Sequence, residues 1–242
     1  MSESAEHEVN YREEKAPLLR KVIAQRMLES KQTVPHFYLT VDLDVANLMA
    51  YRAELNEGRE TKISFNDIII KAVAQMLMEH PDCNASYVDH NIRYYDTANV
   101  CLAVSIEGGL LTPAVRNCER KSIEEINSDS AILIEKARNK KLRPRESMGG
   151  TFTLSNLGMF GIEEFIAIVN PPQALILAIG AIREEPVAVN GTIVVGKRMK
   201  MTLSCDHRAV DGAMAAGFLM DLKSVLEDPK TNLKNGNSSS PS

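Results

Sequence analysis

The chain has 242 residues, 44% of them hydrophobic and 25% charged, with 32 acids against 28 Lys and Arg and a formal net charge of −4. That length can bury a substantial core as a single domain without metals or disulfides. Its acids and bases are interspersed and offer no phosphate-binding stripe, and no stretch approaches the roughly 20 apolar residues of a membrane span, so neither nucleic acid nor a membrane is expected as a partner.

Cys83, Cys101, Cys118 and Cys205 are spread singly, with no C-x-x-C pair and no zinc-site spacing. Reduced core thiols in a cytosol-like compartment are expected, and no metal site. Residues 1–17 are polar and aperiodic and read as a flexible leader without a secretion signal. From Leu18, "LLRKVIAQRMLES" places Leu19, Val22, Ile23, Arg26 and Met27 at helical spacing, and Pro35 ends that helix before an alternating strand, "HFYLTVDLDV". A helix over about 46–57 follows. Ser64 then reads as the N-cap of "FNDIIIKAVAQMLMEHP", whose apolar face ends at Pro81.

"SYVDHNIRYYD" predicts a polar hairpin turning at "DHN", and "NVCLAVSIEGGLLTPAVR" predicts two β segments joined at Gly108 and Gly109. A charged amphipathic helix covers about 122–141. The last third carries three strands, "GGTFTLSNLG", "QALILAIGAI" and "KMTLSC", separated by the turn signals Asn170–Pro172 and Asn190–Gly191. A final helix begins near Asp211, and 230–242 reads as a disordered polar tail. The elements are mixed without strict βαβ alternation, which predicts an α+β fold: a mixed sheet flanked by helices.

Chemistry concentrates in "SCDHRAVDG", Ser204 to Gly212. His207 follows a buried strand and precedes a helix, a junction that aims a side chain into a cleft, and a histidine takes a proton from a thiol near neutral pH. The same residues also suit a structural histidine and a helix cap at Asp211. A Ser-His-Asp hydrolase is not expected, because no G-x-S-x-G elbow precedes His207.

His207, Asp211 and Gly212 form an H-x-x-x-D-G signature, here D-H-R-x-x-D-G, that resembles the catalytic domain of the dihydrolipoamide acyltransferases, the core components of 2-oxo acid dehydrogenase complexes. Four further segments resemble that family in order: "IAQRMLESKQTVPHFYLTVDLD", "SFNDIIIKA", "GGLLTPAVR" and "GGTFTLSNLGMFGIEEFIAIVNPPQALILAIG". The resemblance covers about 18–229, the span of the expected acyltransferase domain. It implies a two-layer chloramphenicol-acetyltransferase-like fold, homotrimers with active sites between subunits, and acyl transfer between a dihydrolipoyl thiol and coenzyme A. Within it His207 is the general base, Ser155 the hydroxyl that stabilises the oxyanion, and Asp211 a supporting group, with Arg208 as a candidate ion-pair partner. Coenzyme-binding positions fall on Arg52, Ser64, Ser105, Ser155, Asn156, Gly180 and Ile182.

Acetyl is the expected acyl group, since "SNLGMFGIEEFIAIVNPPQA" and the cysteine before "DHRAVDGA" look most like the pyruvate dehydrogenase component; the acyl group of a branched-chain or other 2-oxo acid dehydrogenase complex is the alternative. The resemblance implies lipoyl domains and the decarboxylating and dihydrolipoamide-dehydrogenase components as partners, in a bacterial cytoplasm or a mitochondrial matrix. No lipoyl or subunit-binding domain is recognised in these residues. The family's C-terminal apolar anchor, which joins trimers into shells of roughly 24 or 60 subunits, is reduced here to Leu233, which predicts a weakened cage. Rival readings are a non-catalytic scaffold of the same fold and a small-molecule acetyltransferase of the chloramphenicol type.

Overall fold

The computed structural model describes residues 10–234. Helix α1 (Leu18–Thr33) lies on the surface with only Ser30 buried, and strand β1 (His36–Asp44) follows Pro35. After α2 (Ala46–Leu55) comes α3 (Phe65–Glu79), the central helix, whose Ile68, Ile69, Ile70, Val73, Met76 and Leu77 are all buried. Its start is fixed by a reciprocal cap. Ser64 Oγ accepts the Asp67 amide at 3.2 Å, and the Asp67 carboxylate accepts the Ser64 amide at 2.8 Å.

The expected hairpin is β2 (Ala85–Val88) and β3 (Asn91–Tyr94), turned by Asp89 and His90 at φ of 50° and 62°. Where two β segments were predicted there are four short strands: β4 (Val100–Leu102), β5 (Val104–Ile106), β6 (Gly109–Leu111) and β7 (Ala114–Val115). The chain breaks at Ala103, whose amide donates to Leu154 O at 2.9 Å, and β5 and β6 leave the main sheet as a separate hairpin. Helix α4 (Ile123–Arg138), β8 (Phe152–Asn156) and β9 (Leu175–Ile179) follow as the periodicity predicts. Next come β10 (Arg183–Val189) and β11 (Thr192–Asp206), then α5 (Gly212–Glu227) and the short α6 (Pro229–Asn232).

The main sheet is mixed, in the order β1-β11-β9-β8-β4-β7, with β10 paired to β11; β8 runs parallel to β4 and β9, and the other pairings are antiparallel. Cross-strand neighbours share a face. The row Leu39, Leu203, Leu177, Leu154, Leu102 points into the helical layer, where Phe152, Phe218 and the α3 side chains complete the core. The opposite row, Thr40, Thr202, Ala178, Ser155, carries three hydroxyls. It is crossed by the extended segment 162–169, tied down by Thr40 Oγ1 to Glu164 at 3.1 Å and by Ser30 Oγ to Val169 O at 2.6 Å.

The expected polar tail starts later than 230. Lys230 to Asn232 belong to α6, Leu233 is buried in the chain's own core, and the Lys234 amide donates to Gln75 Oε1 at 2.9 Å. Residues 1–9 of the expected leader and 235–242 of the expected tail lie outside the described residues.

Candidate active site

Strand β11 ends at Asp206, and the turn 207–210 leads into α5. The Asp206 carbonyl accepts the amides of Ala209 and Val210, both at 3.1 Å, so the chain reverses immediately after His207. The His207 amide donates to Pro35 O at 3.1 Å, and its exposed imidazole leans on the Phe37 ring, with centroids 4.6 Å apart. The residue predicted from sequence as the base therefore stands exposed just past the end of β11, between β1 and β9.

Asp211 caps α5. Its Oδ1 accepts the amides of Ala213 and Met214, both at 2.9 Å, which places its negative charge at the positive end of the helix. The expected pairing of Arg208 with Asp211 is not what forms. Arg208 turns back to the buried Asp206, donating Nε at 2.9 Å and Nη2 at 2.7 Å, because the Asp206 side chain already holds the Arg208 amide at 3.0 Å.

A cavity of about 430 Å³ opens at the other end of the sheet, between α2, the start of α3 and the ends of β8 and β9. Arg52, Ser64, Asn156, Gly180 and Ile182 line it, as expected from the sequence; Ser105, exposed on β5, and Ser155, half-buried beside Asn156, are not in its wall. Arg52 Nε is committed to Ile63 O at 2.9 Å, and its guanidinium lies over the Phe65 ring at 4.6 Å, so only its Nη groups are left for an anion. Ser64 Oγ donates to Asp67 Oδ2 at 2.7 Å while accepting the Asp67 amide, so toward a ligand it can only accept. It suits an amide N–H, not a phosphate.

Asn156 Nδ2 donates to Asn66 Oδ1 at 2.8 Å, and its own Oδ1 accepts the Gly158 amide at 2.8 Å. Gly180 has a narrower reason than room for a ligand: a Cβ there would collide with Glu163 O of the crossing segment, and one at Gly158 would lie 2.6 Å from Gly180 O. Sequence reasoning passed over Phe65, Asn66 and Met199. Phe65 and Asn66 directly follow the Ser64 cap, a position that could have flagged them, whereas Met199 reads as one more core residue of a strand.

His207 and Ser155 are far apart in one chain. Ser155 is level with Ala178 on β9, and Ala178 with Thr202 on β11, which leaves His207 five residues further along. At about 3.3 Å per residue and two strand spacings of about 4.8 Å, the separation is on the order of 20 Å. Ser155 also shares the face of Thr40 and Thr202, whereas His207 packs at a tilt against Phe37 on the helical side.

The chain's own thiols offer no nucleophile. All four cysteines are buried, and burial pushes Cys83 and Cys118 up to about 12 and Cys101 to about 11, with Cys205 also raised.

The family model described as "2-oxoacid dehydrogenases acyltransferase (catalytic domain)" matches residues 8–233. A curated relative, the dihydrolipoyllysine-residue acetyltransferase component of the pyruvate dehydrogenase complex of Rickettsia conorii, is 48% identical over 215 residues, covering 87% of this chain and 52% of its own. A structure of Azotobacter vinelandii dihydrolipoamide acetyltransferase, studied for the role of a serine, a histidine and an asparagine in its catalytic mechanism, superposes with a TM-score of 0.89 at 30% identity, covering 93% of this chain and 95% of that one. A chloramphenicol acetyltransferase shares the fold at a TM-score of 0.53 and 14% identity, covering 86% of this chain and 94% of its own. The chain thus spans about half the length of the curated relative it matches.

Proposed function

Since the chain belongs to the family of 2-oxoacid dehydrogenase acyltransferase catalytic domains, we propose that it transfers an acetyl group between a dihydrolipoyl thiol and coenzyme A. The observation that carries this reading is the cavity beside Ser155, where Arg52, Ser64, Asn156, Gly180 and Ile182 converge from α2, α3, β8 and the chain after β9. Arg52 offers its free guanidinium N–H groups to a phosphate, and Ser64 accepts from a pantetheine amide.

His207 takes the proton of the attacking thiol, and the resulting thiolate adds to the thioester carbonyl. The oxyanion that forms accepts a hydrogen bond from Ser155 Oγ, a contact made to charge that is present only in the transition state and the intermediate. Collapse breaks the original C–S bond, and the departing thiolate recovers the proton from His207. In the Azotobacter protein the serine and histidine have the same separation along the chain as Ser155 and His207, and its asparagine follows the histidine as Asp211 does here. Asp211 acts by capping α5 and so fixing the end of the turn that carries His207.

Because Ser155 and His207 lie so far apart within one chain, a site that uses both is built from two copies, His207 of one facing Ser155 of its neighbour. A homotrimer with a site at each interface satisfies this, and lipoyl domains and the other components of a pyruvate dehydrogenase complex are the partners such a core would serve. The test is transfer from acetyl-CoA to dihydrolipoamide, run beside propionyl- and isobutyryl-CoA. Acetyl preference together with loss of activity in His207→Ala supports the reading; a preference for the branched acyl group moves the assignment to a branched-chain complex, and unchanged activity in His207→Ala leaves a scaffold.

A further inference from the structure

His207 has Phe37 as its ring neighbour, and among the described residues no side chain hydrogen-bonds its imidazole nitrogens. Its direction is therefore set by its backbone, and that backbone is held from both sides. The Asp206 carboxylate, on a residue only 3% exposed, reaches across His207 to the Arg208 amide and grips the Arg208 guanidinium through both oxygens. A carboxylate so buried has to be paired, and these hydrogen bonds in turn push the Arg208 pKa up.

The guanidinium is backed by a second element. Its centre lies 4.7 Å from the centroid of the Tyr87 ring on β2, so the aromatic face covers one side of the fork while Asp206 takes its edge. The Tyr87 hydroxyl points to other business, 3.3 Å from His90 Nδ1 in the hairpin turn. Ring and hydroxyl are therefore separable by substitution.

We propose that Arg208 and Tyr87 are positioning residues for His207: the stack of Tyr87 on Arg208, and the fork of Arg208 on Asp206, lock the turn that aims the base. This rests on His207 being the base. The imidazole tip stands about 4.5 Å from Cα, so a backbone rotation of about 15° displaces it by about 1.2 Å, enough to spoil a proton transfer. A lysine at 208 keeps the charge but cannot form the planar fork.

The test is steady-state acetyl transfer in both directions by Arg208→Lys, Tyr87→Leu, Tyr87→Phe and His207→Ala, each normalised to folded protein by circular dichroism. Arg208→Lys is expected to lower kcat roughly tenfold or more while both KM values stay within about twofold. Tyr87→Leu is expected to lower kcat several-fold, and Tyr87→Phe, which keeps the ring and drops the hydroxyl, to restore it. Parental kcat in Arg208→Lys, or a rise in KM at constant kcat, overturns the inference; should Tyr87→Leu not fold, Arg208→Lys decides alone. Parental kcat in His207→Ala would instead remove the base assignment itself, while a dead His207→Ala beside a fully active Arg208→Lys removes only the positioning role.

Discussion

The proposed site, divided between copies, makes a quantitative demand on mixtures of variants. Ser155 is level with Thr202 through the β8, β9 and β11 register, and His207 lies five residues beyond it, on the order of 20 Å away, so no single chain supplies both groups to one carbonyl. Alone, His207→Ala is expected to lose about 10²- to 10⁴-fold in kcat and Ser155→Ala about 10²- to 10³-fold. When equal amounts are assembled at random into trimers, an interface is intact if its His207 comes from the Ser155→Ala chain and its Ser155 from the His207→Ala chain. Each condition holds half the time, so about a quarter of the interfaces recover, and activity rises to about a quarter of the parent. The assay is acetyl transfer after co-refolding of differently tagged variants; mixed trimers isolated through both tags each hold one intact interface of three and should reach about a third of the parent. Mixed trimers that stay at the level of the single variants would refute the reasoning.

Other outcomes follow from the same geometry. Arg52→Ala removes the guanidinium stacked on Phe65, and should raise KM for coenzyme A about tenfold with kcat little changed, measured against dihydrolipoamide at saturation. The raised cysteine pKa values predict protection and alkaline lability together: an Ellman-type reagent should label the folded protein slowly at about pH 8 and rapidly once urea unfolds it. Each thiol with a folded pKa above its unfolded value near 9.0 contributes stability that is whole below pH 9.0 and declines as pH rises toward about 12, which should lower the urea midpoint progressively over that window. The slope is roughly 1.4 kcal/mol per thiol per pH unit, and a flat midpoint from pH 9 to 11 would contradict it. Sedimentation should show an oligomer, since a site that uses both His207 and Ser155 needs two copies, and a fully active monomer would contradict this.

The sequence by itself determined the helices and the residue types that the candidate site offers. Helices α3 and α5 were readable because their apolar period and their caps, Ser64 and Asp211, are properties of neighbouring residues, and the turn at Asp89 and His90 was readable for the same reason. Strand β10 was not: "REEPVAV" carries Pro186 and two glutamates, and it is a strand because β11 pairs with it across the Asn190–Gly191 turn. The tertiary structure alone decided that Arg208 grips Asp206 and lies on Tyr87, 121 positions away from it in sequence. It alone brought Arg52, Ser64, Asn156 and Gly180 around one cavity and left Ser105 outside. The separation of His207 from Ser155 follows from strand order, which no local pattern encodes: β9 stands between β8 and β11, and the antiparallel run of β11 carries His207 away from Ser155.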